Sequence, residues 1–182
     1  MTLLTEVQTV QQQAELLYSK TEIETALDTI SADISQKLSD KNPLLLCVLN
    51  GGIITMGELL LRLDFPLELD SLIATRYQNL TSGGKTEWRL EPKTSLQGRT
   101  VLIIDDILDE GITLKTIMDY CQDKGAQATY SAVLVNKLLD KKKPVQADFI
   151  ALETENRYLF GWGMDYKGYL RNAPGIYAVT DL

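Results

Sequence analysis

Residues 101–113 read VLIIDDILDEGIT, an unbroken apolar run that ends in two acids and passes through a short Gly-containing turn towards a helix-period segment. A run with no polar alternation belongs to a strand covered on both faces, and such strands form parallel sheets with helices packed on either side. That confines the chain to an α/β layer architecture, a mostly parallel central sheet flanked by helices. The same beat occurs earlier. LLLCVL at 44–49 follows Asn42 and Pro43, the turn Asn50-Gly51-Gly52 closes it, and Ile53, Met56, Leu59, Leu60 and Leu63 then recur at helical spacing as far as Pro66.

The remaining pattern fills in around these two units. Val7, Val10, Ala14 and Leu17 predict an amphipathic helix, and Ser19 with Glu22 reads as a capping box for a second helix carrying Ile23, Ala26, Leu27, Ile30, Ile34 and Leu38. Strands are predicted at 67–75, around Trp88 and Leu90, and at 101–104, 129–135, 148–152, 157–160 and 176–179, with a helix at 113–124 closed by Gly125. The stretch YQNLTSGGK at 77–85 is polar, Gly-rich and aperiodic, the composition of a lid-type loop. In such sheets ligands bind beyond the carboxyl ends of the strands, so the loops after residues 49 and 104 and around Lys137 are the ones to examine.

Composition narrows the chemistry. The 182 residues suit a single domain. Eighteen Lys and Arg against 25 Asp and Glu leave a formal charge of -7, which repels a phosphate backbone, so no nucleic-acid partner is expected. No basic stretch leads into an apolar one near the start, and the longest apolar run, 44–49, is too short to span a bilayer; no membrane role is expected and the cytoplasm is the simplest location. Cys47 and Cys121 read as buried free thiols. The absence of histidine removes Ser-His-Asp and Cys-His chemistry and every His-ligated zinc site, leaving carboxylates, Lys, Tyr or Cys as acid or base.

Within 101–113, the backbone N–H groups of Asp109, Glu110, Gly111, Ile112 and Thr113, with the Thr113 hydroxyl, are placed to cradle one anion at a helix start, where the macrodipole also favours negative charge. Gly111 permits close approach of the backbone. Asp105 and Asp106 would repel that anion directly and suit sugar hydroxyls or a hydrated Mg²⁺ beside it. An anion cradle next to a pair of acids describes a phosphorylated sugar.

This segment resembles the phosphoribosyl pyrophosphate motif of type I phosphoribosyltransferases, and residues 40–182 resemble the hypoxanthine-guanine branch of that family. The resemblance implies one domain over 1–182, with a core at about 40–152 and a small hood built from about 1–40 and 153–182. It implies transfer of the 5-phosphoribosyl group from phosphoribosyl pyrophosphate to hypoxanthine or guanine, giving IMP or GMP, with Mg²⁺ as cofactor and a homodimer or homotetramer as the assembly. By the same match Lys137 recognises the purine 6-oxo group; an ammonium donates to a 6-oxo acceptor and is mismatched to a 6-amino donor. Tyr158 stacks on the base and Leu159 offers it a carbonyl. Asp165 holds a magnesium ion, with Asp105 and Asp106 beside the metal and ribose. Arg171 pairs with pyrophosphate oxygens, and Asn50 and Gly51 form the pyrophosphate loop, where a non-proline cis peptide is expected. Asp109 is the expected base, facing N7 of the purine. Two positions depart from the family pattern: Asn50 stands where many members have Lys, and Glu110 where many have Thr. Lys141, Lys142 and Lys143 read as a solvated turn, and Asn136 and Arg76 receive no role. A xanthine-preferring enzyme is the nearest alternative; a phosphoribosyl pyrophosphate-sensing regulator is disfavoured by the acidic balance.

Overall fold

The structure, a computed structural model, describes residues 2–76 and 86–180; the 77–85 loop read as a lid lies outside them. In chain order the elements are α1 (Leu3–Gln13), β1 (Glu15–Tyr18), α2 (Lys20–Leu38), β2 (Leu44–Val48), α3 (Ile53–Leu60), β3 (Glu68–Arg76), β4 (Thr86–Leu90), β5 (Thr100–Leu108), α4 (Ile112–Asp123), β6 (Ala128–Leu138), β7 (Phe149–Glu155), β8 (Leu159–Phe160) and β9 (Ile176–Ala178).

The main sheet has the order β4-β3-β2-β5-β6-β7. Every neighbouring pair is parallel except β3 with β4. The apolar runs are explained by the two layers that cover the sheet. On one face Leu45, Cys47, Leu102 and Ile104 join the side chains of α2 and α3, among them Ile23, Leu27, Ile34 and Leu59. On the other, Leu44, Leu46, Val101 and Ile103 meet Leu114, Ile117 and Cys121 of α4. Alternate residues of one strand thus serve opposite layers, and both faces are buried.

A smaller antiparallel sheet, β1-β9-β8, is built from both ends of the chain. Helix α1 sits against it, with Val7 and Val10 packed on Phe160, Tyr166, Leu170 and Ala173. Here the sequence pattern misleads. Ala14 is the C-cap of α1 and Leu17 lies in β1, which pairs with β9 from Glu15↔Ala178 to Tyr18↔Ile176. A short apolar run fits either period, and pairing with a strand far along the chain decides it. The capping box is present: the Ser19 side chain accepts from the Glu22 backbone and the Glu22 carboxylate from that of Ser19.

Two further differences bear on the site. Strand β5 does not stop before the acids but continues through them to Leu108, because its ladder with β6 runs on to Leu108↔Asn136. Lys137, expected just after a strand, is inside β6 for the same reason, paired there with Thr154 of β7.

Candidate active site

The chain ends of β2 and β5 open into a cavity of about 410 Å³. Its wall combines Asn50 and Gly51 after β2, Asp105 and Asp106 on β5, the turn Asp109, Glu110, Gly111, Ile112 and Thr113, and Asp165 and Arg171 from the carboxy-terminal region. The peptide between Leu49 and Asn50 is cis, as expected. Gly51 is required by close packing, since a Cβ there would lie 2.1 Å from Asp106 Oδ2. Gly111, at φ 81°, opens α4 without a side-chain cap, so no capping side chain claims the first-turn N–H groups.

A second cavity of about 210 Å³ adjoins the first and is lined by Asp106, Ile107, Asp109, Lys137, Tyr158, Leu159, Met164 and Asp165. Asp106, Ile107, Asp109 and Asp165 belong to both walls. Lys137 Nζ lies 3.1 Å from Asp109 Oδ2; the lysine is buried while the carboxylate stays half-exposed at the junction of the cavities. Tyr158 is 53% exposed, its ring free to take a flat partner, and Tyr166 meets it edge-on at 5.6 Å. Leu159 is buried by the pairing of β8 with Ala178 of β9.

Electrostatics set the acids apart. Burial pushes Asp105 well above the ordinary carboxylate range, and the charge of Asp106 adds to it. Burial raises Asp106 too, partly offset by its bond with Asp105 and by the charge of Arg171. Asp165 is paired on both oxygens: Arg171 Nη2 lies 2.6 Å from its Oδ1, and the Gly168 N–H donates to Oδ2 at 2.7 Å. Arg171 Nη1 donates to the Gly163 carbonyl at 2.6 Å. Gly163 in turn presses on the turn after β2, where its Cβ would come 2.1 Å from the Gly51 carbonyl.

All the residues singled out in the sequence therefore line one or other cavity. No group of three or more acidic, Cys or His side chains gathers to hold a metal among the described residues. The donors on the wall are hard oxygens, and burial disfavours the charge of two of the carboxylates, Asp105 and Asp106, an effect that a divalent cation would relieve. That fits Mg²⁺, which is usually held by one or two carboxylates together with substrate phosphates.

The pattern missed residues behind the site. Lys141 Nζ forms an ion pair with Glu110 Oε1 at 2.5 Å, turning that carboxylate towards the lysine. Lys143, read as solvated, is half-buried and donates to the Leu108 carbonyl at 2.6 Å and to Asn136 Oδ1 at 2.8 Å. No periodicity marks it; only the following Pro144, which bends the turn back, hints that it faces inward.

Comparison with known proteins gives the same reading. Residues 13–167 match the family described as the phosphoribosyl transferase domain. The chain is 32% identical over 174 residues to the hypoxanthine-guanine-xanthine phosphoribosyltransferase of Tritrichomonas foetus, covering 95% of each protein. It is 31% identical over 163 residues to the hypoxanthine-guanine phosphoribosyltransferase of Bacillus subtilis strain 168, covering 89% of this chain and 91% of that one. Among solved structures, a hypoxanthine phosphoribosyltransferase from Staphylococcus aureus shares the fold at a TM-score of 0.86 and 24% identity, over 91% of each chain. Motif, sheet topology and relatives agree that the chain belongs to the phosphoribosyltransferase family, in its hypoxanthine-guanine group.

Proposed function

We propose that this protein transfers the 5-phosphoribosyl group from phosphoribosyl pyrophosphate to N9 of hypoxanthine or guanine, releasing pyrophosphate and giving IMP or GMP. One observation carries the reading: the cavity walled by the Asp109 to Thr113 turn and a smaller cavity meet at Asp109, with Lys137 Nζ 3.1 Å from its carboxylate. The sugar phosphate occupies the first cavity, with its 5′-phosphate on the amides of Asp109 to Thr113 and its pyrophosphate between Asn50, Gly51 and Arg171. The purine occupies the second, its face on Tyr158 and its 6-oxo group at Lys137.

In this arrangement the N9–C1 bond forms as the C1–O bond to pyrophosphate breaks. Asp109 accepts the N7 proton of the purine, so that positive charge does not build up on the base. Arg171 and the amides of the Asn50-Gly51 turn receive the charge that develops on the leaving group. Asp165, with Asp105 and Asp106, would hold Mg²⁺, which when bound neutralises pyrophosphate charge. Glu110 keeps only its N–H for the phosphate, since its carboxylate is engaged by Lys141. The small sheet and α1 form the hood beside the base, and a homodimer or homotetramer is the assembly proposed by family resemblance.

A relative named for xanthine as well as hypoxanthine and guanine makes xanthine the second base to test. The experiment is a spectrophotometric panel of hypoxanthine, guanine, xanthine and adenine with phosphoribosyl pyrophosphate and Mg²⁺, on the wild type and on Lys137→Met. Hypoxanthine and guanine should turn over and adenine should not. The variant should lose roughly 10- to 150-fold in kcat/KM for hypoxanthine, the factor for a charged hydrogen bond of about 1.5–3 kcal/mol. Adenine turning over as fast as hypoxanthine would sink the reading.

A further inference from the structure

Strand β5 ends at Leu108 and its last registered partner on β6 is Asn136. The next residue on each strand is the one that faces the ligand: Asp109, one step past the end of β5, and Lys137. No main-chain ladder extends the β5–β6 register to Asp109, so its place opposite Lys137 rests on its ion pair with that lysine and on what holds the Leu108 peptide that leads into it. The side chain that spans this point is Lys143, which arrives from the turn between β6 and β7. Its ammonium donates to the Leu108 carbonyl at 2.6 Å and to Asn136 Oδ1 at 2.8 Å, and both acceptors are neutral oxygens. Asn136 Nδ2 passes the connection on to Glu153 Oε1 of β7 at 2.9 Å. The phosphate loop also rests on this turn, since a Cβ at Gly111 would touch Lys143 Cβ, Pro144 Cδ and Val145 Cγ1, each at 3.4 Å.

We infer that Lys143 is a positioning residue for the transfer reaction: one ammonium ties the residue before Asp109 to the residue before Lys137 and so fixes the distance between base and purine reader. The inference rests on the proposed function. A charge-assisted pair of bonds is strong enough to lock a strand end, and a misplacement of about 1 Å at a reacting group can cost on the order of 100-fold in rate. Lys143 touches no substrate; it acts through Leu108 and Asn136. Partial burial draws its own pKa below the usual lysine value, while the Asp109 charge pulls the other way, as the placement beside the site requires.

The test is steady-state kinetics with hypoxanthine on the wild type, Lys143→Met, Lys143→Arg and Asn136→Ala, alone and combined, with phosphoribosyl pyrophosphate binding followed by calorimetry. Lys143→Met should lower kcat about 10- to 100-fold. Binding of phosphoribosyl pyrophosphate should stay within about threefold, because the loop packs on a β-carbon that Met retains. Lys143→Arg should restore most of kcat. Asn136→Ala should lower kcat in the same direction, and the double variant should be little worse than Lys143→Met, since both break one bridge. Asn136→Ala keeps the test open should Lys143→Met fold poorly. Normal kcat in Lys143→Met, or multiplicative losses in the double variant, with an active wild type, would overturn this inference alone. A wild type inactive with every base would overturn the reading beneath it.

Discussion

Asp109→Asn is expected to bind phosphoribosyl pyrophosphate as well as the wild type and to lose about 10²- to 10⁴-fold in kcat, the usual worth of a positioned general base. The substitution keeps the backbone N–H that faces the phosphate and nearly the same volume. It removes the ability to accept a proton and the charge opposite Lys137, which lies 3.1 Å away. Because the Asp109 side chain is half-exposed, its replacement costs the fold little. The kcat loss should therefore appear without a matching loss of ligand affinity or thermal stability. Steady-state kinetics, calorimetry and thermal unfolding of the same preparation separate the three. An Asn variant with normal kcat and normal binding would remove Asp109 from the mechanism.

Asp106→Asn should show stability and activity moving in opposite directions. Burial raises both Asp105 and Asp106 above their ordinary values, whereas in the unfolded chain each titrates near 3.8. The folded protein thus holds protons that the unfolded chain has released. The pair's contribution to the stability of the ligand-free protein is then greatest below that window and falls as pH rises from about the unfolded value through the raised folded ones, against the opposite contribution of lowered carboxylates such as Asp70. Removing one charge should relieve this. The variant should gain about 0.5–2 kcal/mol at neutral pH, the common yield of a single stabilising change, and its stability should depend less on pH. Turnover should fall on the order of 100-fold, because one of the carboxylate oxygens proposed to meet the ribose and metal is lost. Chemical denaturation across pH 4–8 reads the first effect and the base assay the second. A variant that is less stable at neutral pH with an unchanged pH slope would refute the account of the acid pair.

Much of the architecture is written in local pattern. LLLCVL and VLIIDD, short apolar runs bounded by turn signals, point to strands covered twice, and the capping box at Ser19 and Glu22 starts its helix where expected. The turn around Gly111 reads as an anion site because glycine at a helix start, two acids before it and Thr113 after it have few other uses together, and the uncapped helix start is where that reading places it. What escaped depends on partners distant in sequence. Leu17 joins a strand because β9 comes alongside, and β5 runs through its acids because β6 offers Asn136 as a partner. Glu6 could not have been linked to the site from α1 alone, yet it accepts from the Tyr166 hydroxyl and from Lys167 Nζ, each at 2.6 Å. Lys143 escaped for a different reason. Three consecutive lysines in a polar turn look alike, and only the path of the turn selects the one whose stem points inward.

The most direct test of the central claim is product formation by the purified protein from hypoxanthine, phosphoribosyl pyrophosphate and Mg²⁺, with nucleotide and pyrophosphate quantified in the same samples and a chelated control beside them. The account predicts IMP and pyrophosphate in equal amounts, and neither once the metal is removed. Pyrophosphate without nucleotide, or no reaction with either hypoxanthine or guanine, would contradict it.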